Sequence, residues 1–188
     1  GRWLSNARYL DDYSTFWFRR GGDPYRYTTW LAHAIWERAA VTGDKDLPIS
    51  LLDELVDYFS KWEKGEASWG IGGRPNGLFY ATDGQDGGEM SVGGHGFRPL
   101  LNSAMFGEAT AIASIAEHAG RNELAEVFSA KAARLKQLVE TRLWDPEREF
   151  FMILKEDDLT RTATRELYGF APWSFSLVRS GGATLASC

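Results

Sequence analysis

Cysteine is nearly absent: Cys188, the final residue, is the only one in 188. A single thiol closes no disulfide within the chain and builds no thiolate metal cluster, so a hydrophobic core has to hold the fold. No apolar run approaches the ~20 residues that a membrane-spanning helix needs. No cluster of Lys and Arg appears either; the net charge is −5 with the basic residues scattered, which lacks the electrostatic footprint of a nucleic-acid binder. Neither nucleic acid nor a membrane is therefore an expected partner. Gly1 opens no signal-peptide pattern, and with no internal disulfide the expectation leans slightly to the cytoplasm, the compartment being otherwise open.

What is present is a chain long enough for one domain with a substantial core, 44% hydrophobic and 25% charged. Apolar residues recur at helical spacing along most of it. Leu10, Tyr13, Phe16 and Trp17 predict a first helix over Tyr9 to Arg19, stopped by Gly21 and Gly22. Trp30, Leu31, Ala34 and Ile35 predict a second, from Tyr27 to Val41, ended by Gly43. Leu51, Leu52, Leu55, Val56, Phe59 and Trp62 draw a third stripe, running to Lys64. Met105, Ala109, Ile112, Ala113, Ile115 and Ala116 draw a fourth over Leu101 to His118, with Gly120 after it. Asn122 is the expected N-cap of a fifth that Trp144-Asp145-Pro146 breaks. Phe150 to Leu154 reads as one strand of a small hairpin, and Leu167 to Leu177, with Pro172 inside, as a loop entering a short helix. The tail GGATLASC, residues 181–188, has no periodic pattern and is expected to be disordered, leaving 1–180 as the domain.

Between the third and fourth helices lies a different kind of sequence. Trp69 to Asn102 holds ten glycines and two prolines, too many for a helix. Its aromatics, Trp69, Phe79, Tyr80 and Phe97 among them, argue for an ordered loop. Among them stand Asp83, Asp86, Glu89, His95, Arg98 and Asn102. Carboxyl groups among aromatic rings suit sugar chemistry, with rings stacking on apolar sugar faces and acids acting on the glycosidic oxygen. The run DGQDGGE, Asp83 to Glu89, also resembles half of a calcium loop. There a bidentate glutamate belongs at position 12, and the twelfth residue from Asp83 is Gly94, so no metal is expected. Trp30, Trp36, Trp62 and Trp144 lie on helices or at helix ends and read as core, and His33 and His118 as structural.

The segments GRWLSNARYLDDYSTFWF, YTTWLAHAIWERAAVTGD, GLFYATDGQDGGEMSVGGHGFRPLLNSAMFGEATAIASIAEHAG and RLWDPEREFF together resemble the six-hairpin glycosidases, specifically the mannosylglycerate hydrolase-like group. Trehalase and processing α-glucosidase I are more distant relatives of that group. The resemblance covers about residues 2–177 and implies an all-α fold, here the N-terminal half of an (α/α)6 toroid. It implies an inverting glycoside hydrolase without cofactor, acting on a carbohydrate with a carboxyl general acid from the central loop. The base would be a glutamate from a C-terminal half beyond Leu177. By position in DGGEMS, Asp86 is the expected acid and Glu89 the runner-up. Trp69, Tyr80, Asp83, His95, Arg98 and Asn102 are the expected substrate contacts. The trehalase-like pattern places an arginine soon after its aspartate, whereas here Arg98 comes twelve residues after Asp86. Other classes stay open: a carbohydrate-binding or assembly fragment without turnover, and a toroid epimerase or lyase that would use His95 or Tyr80 as base. An arc of half a toroid also leaves apolar faces uncovered, including those of Phe16, Trp17, Phe170 and Trp173, so self-association is expected.

Overall fold

The computed structural model describes residues 30–65, 70–86 and 90–178. The helix expected over Tyr9 to Arg19, the faces of Phe16 and Trp17, and the tail 181–188 lie outside these residues. The first described helix, α1 (Leu31–Thr42), ends where Gly43 takes φ 76° and its N–H bonds the Ala39 carbonyl, the left-handed stop that glycine adopts without strain. The third stripe lies on one helix, and a separate short helix precedes it. Ser50 turns its hydroxyl onto the Leu47 carbonyl (2.8 Å), and the Leu51 N–H bonds the Pro48 carbonyl (3.2 Å), closing the short α2 (Asp46–Ser50). A new helix, α3 (Leu52–Glu63), then carries Leu52, Leu55, Phe59 and Trp62 on one buried face.

The segment expected to be irregular contains a small antiparallel sheet. Its strands are β1 (Gly72–Gly73), β2 (Phe79–Ala81) and β3 (Gly96–Phe97), in that spatial order. Tyr80 stands opposite both Gly72 and Phe97. Glycine makes this packing possible: a Cβ on Gly96, which has φ 148°, would lie 2.5 Å from the Leu154 carbonyl oxygen. Phe97 and Leu154 exchange two backbone hydrogen bonds, of 2.8 and 3.2 Å, across that contact. The central segment is thereby tied to the C-terminal part of the chain.

Arg98, in extended conformation, caps α4 (Pro99–His118), which has Pro99 at its first turn. This helix is buried on nearly every side, from Leu101 and Met105 to Ala109, Ile112 and Ala116, as befits a central element. It packs against α1, α3, β2 and the following helix, α5 (Asn122–Leu138). Arg121 holds the N-cap position of α5 and Asn122 is its first helical residue, a shift of one from the expected cap. A π-helical turn, Val139–Leu143, leads into a hairpin of β4 (Trp144–Asp145) and β5 (Phe150–Phe151), paired Trp144 to Phe151 and Asp145 to Phe150. This is the small hairpin expected around Phe150. A 3-10 turn, Leu167–Phe170, and the four-residue α6 (Ala171–Ser174) follow. Mostly helical with this small sheet, the architecture is that of a partial (α/α) toroid.

Two apolar clusters hold it. The larger joins α1, α3, α4 and α5 and includes Trp62, so that residue is core as expected; the smaller gathers Leu78, Phe97, Leu138, Leu143, Phe151 and Leu177. Trp36 and Trp144 are partly buried against these clusters, whereas Trp30 keeps 38% of its surface exposed. Phe170, expected on an uncovered face, is 54% exposed.

The N-terminus of α1 has no side-chain cap of its own. Glu108, on α4, supplies one: its carboxyl accepts the His33 N–H at 3.0 Å and also that of Ala32. These are first-turn amides that no helical carbonyl reaches. Burial pushes the Glu108 carboxyl up to about 7, against the pull of the two amides, which favour its charge. A folded-state value above the ordinary 4.5 gives stability that is complete below pH 4.5 and lost as pH rises through about 7. The displacement corresponds to about 3 kcal/mol between those limits. Glu108→Gln keeps an acceptor for the amides and cannot ionise. In denaturant titrations from pH 4.5 to 8, the parent chain is expected to lose about 3 kcal/mol relative to this variant. Parallel pH dependences for the two would contradict the assignment.

Candidate functional site

The site is built around a guanidinium. Arg98 follows β3 and caps α4, so its side chain leaves the junction between sheet and central helix and has no exposed surface. An arginine in that position needs its donors filled. Its Nε donates to Asp86 Oδ2 at 2.5 Å, and Asp86 likewise has a fully buried side chain. Its Nη1 donates to Ser91 Oγ at 3.1 Å and to the Gly94 carbonyl. Among the described residues Nη2 has no hydrogen-bond partner, and the guanidinium carbon lies 5.6 Å from the centre of the Tyr168 ring. One side chain thus binds both Asp86 and Ser91, which stand at the two ends of the sequence Asp-Gly-Gly-Glu-Met-Ser. The twelve-residue separation of Asp86 and Arg98 is spanned by the loop itself.

A second layer completes the fastening. Ser91 Oγ accepts the Gly94 N–H (3.2 Å) and donates to Glu166 Oε2 (3.0 Å), while Glu166 Oε1 accepts the Gly93 N–H (3.1 Å). On the other side, Asn102 is wholly buried: its amide accepts the Phe79 N–H at 2.8 Å and donates to the carbonyls of Phe79 and Arg98, each at 2.9 Å. Asn102 therefore pins β2 to the start of α4 and offers no atom to a sugar. Thr82 and Gln85 form a capping box around the 3-10 turn Asp83–Gln85, which delivers the chain to Asp86.

The remaining expected contacts sit apart from the guanidinium. The Asp83 N–H donates to His95 Nδ1 at 3.2 Å, and that nitrogen is 3.5 Å from Asp83 Oδ1; the His95 side chain is 58% exposed. Asp83 is thus joined to His95, and Arg98 to Asp86. Tyr80 stacks edge-on with Phe97, and the Arg74 guanidinium covers its ring at 4.6 Å while bonding Glu156 at 2.5 Å. Burial raises the Tyr80 phenol above its ordinary value, Glu156 adding to the rise and Arg74 opposing it. Trp69 and Glu89 lie outside the described residues. Among the described residues, no three His, Cys, Asp or Glu side chains are grouped to hold a metal. Sequence reasoning missed Ser91 and Glu166. Glu166 lies in a charged stretch with no periodic signal, and only folding brings it to a loop 75 residues earlier.

The profile of the mannosylglycerate hydrolase MGH1-like glycoside hydrolase domain matches residues 68–187, and the chain belongs to that family. A solved structure titled "Sialidase" superposes with a TM-score of 0.77 at 31% sequence identity, over 93% of this chain. The chain spans 16% of that much longer protein. Among curated proteins none matches significantly. No described helix is long and apolar enough to cross a membrane.

The buried pair has a direct energetic consequence. Removing one member strands the other charge in the interior, at a cost of about 3–5 kcal/mol. Arg98→Ala and Asp86→Ala are each expected to destabilise the chain by that much, and the double variant by well under the sum, because the second removal relieves the stranded charge. Chemical denaturation of the four proteins measures this. Additive effects would mean that the two groups do not depend on each other.

Proposed function

We propose that the chain contributes the general acid of a glycoside hydrolase that cleaves an O-glycosidic bond with inversion, and that this acid is Glu89. The family supports the reaction class. The observation that carries the residue choice is the commitment of Asp86. A general acid must come within hydrogen-bond reach of the leaving oxygen, and a carboxyl with no exposed surface, bonded to a buried guanidinium, does not. Asp86 then serves to hold the loop, and Glu89, three residues on, is the carboxyl left for chemistry. Inversion calls for a second carboxylate roughly 6.5–9.5 Å across the sugar to activate water. We assign that base to a part of the polypeptide beyond this chain.

An epimerase or lyase reading with Tyr80 as base finds less support, because burial makes its phenol harder to ionise. Tyr80 and His95 fit better as edges of the sugar site, with Trp69 as a stacking platform.

The test uses the longest polypeptide that carries this sequence, with the anomeric product followed by proton NMR. Glu89→Gln is expected to lower turnover by about 10²–10⁴-fold, the usual worth of a positioned acid, without loss of stability. Asp86→Asn is expected to lower stability and turnover together. Normal hydrolysis by Glu89→Gln, with a stably folded but inactive Asp86→Asn, would return the role to Asp86. Retention of the anomeric configuration would overturn inversion.

A further inference from the structure

One acid reaches the loop from the far end of the chain. Glu166 caps the 3-10 turn Leu167–Phe170 from an extended backbone, and the Gly169 N–H bonds its carbonyl at 2.9 Å. The turn is anchored in turn: Phe170 stacks on Phe150 at 5.0 Å and lies 6.0 Å from Trp173. From this base the Glu166 carboxylate spends one oxygen on the Ser91 hydroxyl and the other on the Gly93 N–H. The approach is close, for a Cβ on Gly93 would lie 2.6 Å from Ile153 Cδ1 and 3.2 Å from Glu166 Oε2. A side chain at position 93 would require the ends of Ile153 and Glu166 to shift.

The polarity of Ser91 explains why a carboxylate is needed. A hydroxyl has two acceptor sites and one proton. Arg98 Nη1 and the Gly94 N–H fill the acceptor sites, so the proton requires an acceptor, and an ionised carboxylate is acceptor-only. The hydrogen bonds run in one direction, from Arg98 to Ser91 to Glu166, and Arg98 in turn holds Asp86. We propose that Glu166 is a positioning residue for the catalytic loop: it fixes the turn 91–94 and, through Ser91 and Arg98, the placement of the acid-bearing sequence. This rests on the reading that the loop carries the general acid. It adds that the segment after the hairpin, not the toroid core alone, fixes the turn 91–94 that follows that acid in sequence.

Glu166→Gln tests the point with minimal change of shape. The amide keeps one oxygen for Gly93 and turns an N–H₂ group toward a hydroxyl whose acceptor sites are filled. Turnover in the full-length polypeptide and hydrogen exchange of the amides of residues 91–94 are read together. Glu166→Gln and Ser91→Ala are each expected to lower kcat by roughly 10- to 100-fold, the scale for a misplaced catalytic group, with KM little changed. Exchange at 91–94 is expected to accelerate in both while α5 stays protected, and the double variant is expected to match either single. Unchanged exchange at 91–94 in both variants, or a double variant whose losses multiply, would overturn the proposal. A parent protein that hydrolyses no glycoside would sink the hydrolase reading, and the exchange result alone would then decide whether Glu166 holds the turn. If Glu166→Gln does not fold, Ser91→Ala carries the same two readouts.

Discussion

A guanidinium with no access to water must have its charge answered, and at Arg98 that requirement organises the centre of the molecule. Asp86 answers the charge; Ser91 and the Gly94 carbonyl take Nη1. Because Arg98 also caps the most buried helix, those bonds fasten a glycine-rich loop to the core itself. Ten glycines between Trp69 and Asn102 would otherwise leave a chain with much conformational entropy to lose. The sheet β1–β3, the Asn102 clamp on Phe79 and the Phe97–Leu154 bridge complete the fastening.

The same constraint separates holding from chemistry. A charge-paired, buried carboxylate is a structural element, and a proton donor needs a partly accessible surface. The loop carries Asp83, Asp86 and Glu89, and of these Asp86 is the one bonded to the buried guanidinium. Glu108 illustrates a buried carboxyl answered differently, by two helix amides and no cation, and burial accordingly lifts it to about 7. Two buried acids in one small domain are therefore answered differently: Asp86 faces a guanidinium, Glu108 only amide dipoles.

Much of the fold was legible in the sequence. The helix stripes at Leu52–Trp62, Met105–Ala116 and Phe128–Leu138 reflect burial on one face, and periodicity reports burial directly. The hairpin at Phe150 was legible from its apolar run and the preceding Asp-Pro. The break at Leu51 was not, because it depends on a hydroxyl–carbonyl bond between Ser50 and Leu47. Nor was the sheet inside the glycine-rich segment, whose strands of two or three residues are too short for an alternating pattern. In the site, composition drew attention to the glycine-rich loop, and the resemblance named the family. Pairing within the loop was beyond either. Arg98 with Asp86, Asp83 with His95 and Ser91 with Glu166 are long-range contacts that only the folded backbone specifies. Asn102 had the chemistry of a sugar ligand, and what the sequence could not convey is that its amide is consumed by the backbone of β2.

The central claim is that the loop after the 3-10 turn is fastened to α4 by the buried Arg98 centre. Hydrogen–deuterium exchange of the unmodified protein tests it directly, through the amides of Gly93, Gly94 and Phe97, which donate to Glu166, Ser91 and Leu154 respectively. The account predicts that these amides are protected to nearly the same degree as the interior of α4, exchanging only when the surrounding unit opens. Exchange at the rate of an unstructured chain, with α4 still protected, would contradict it.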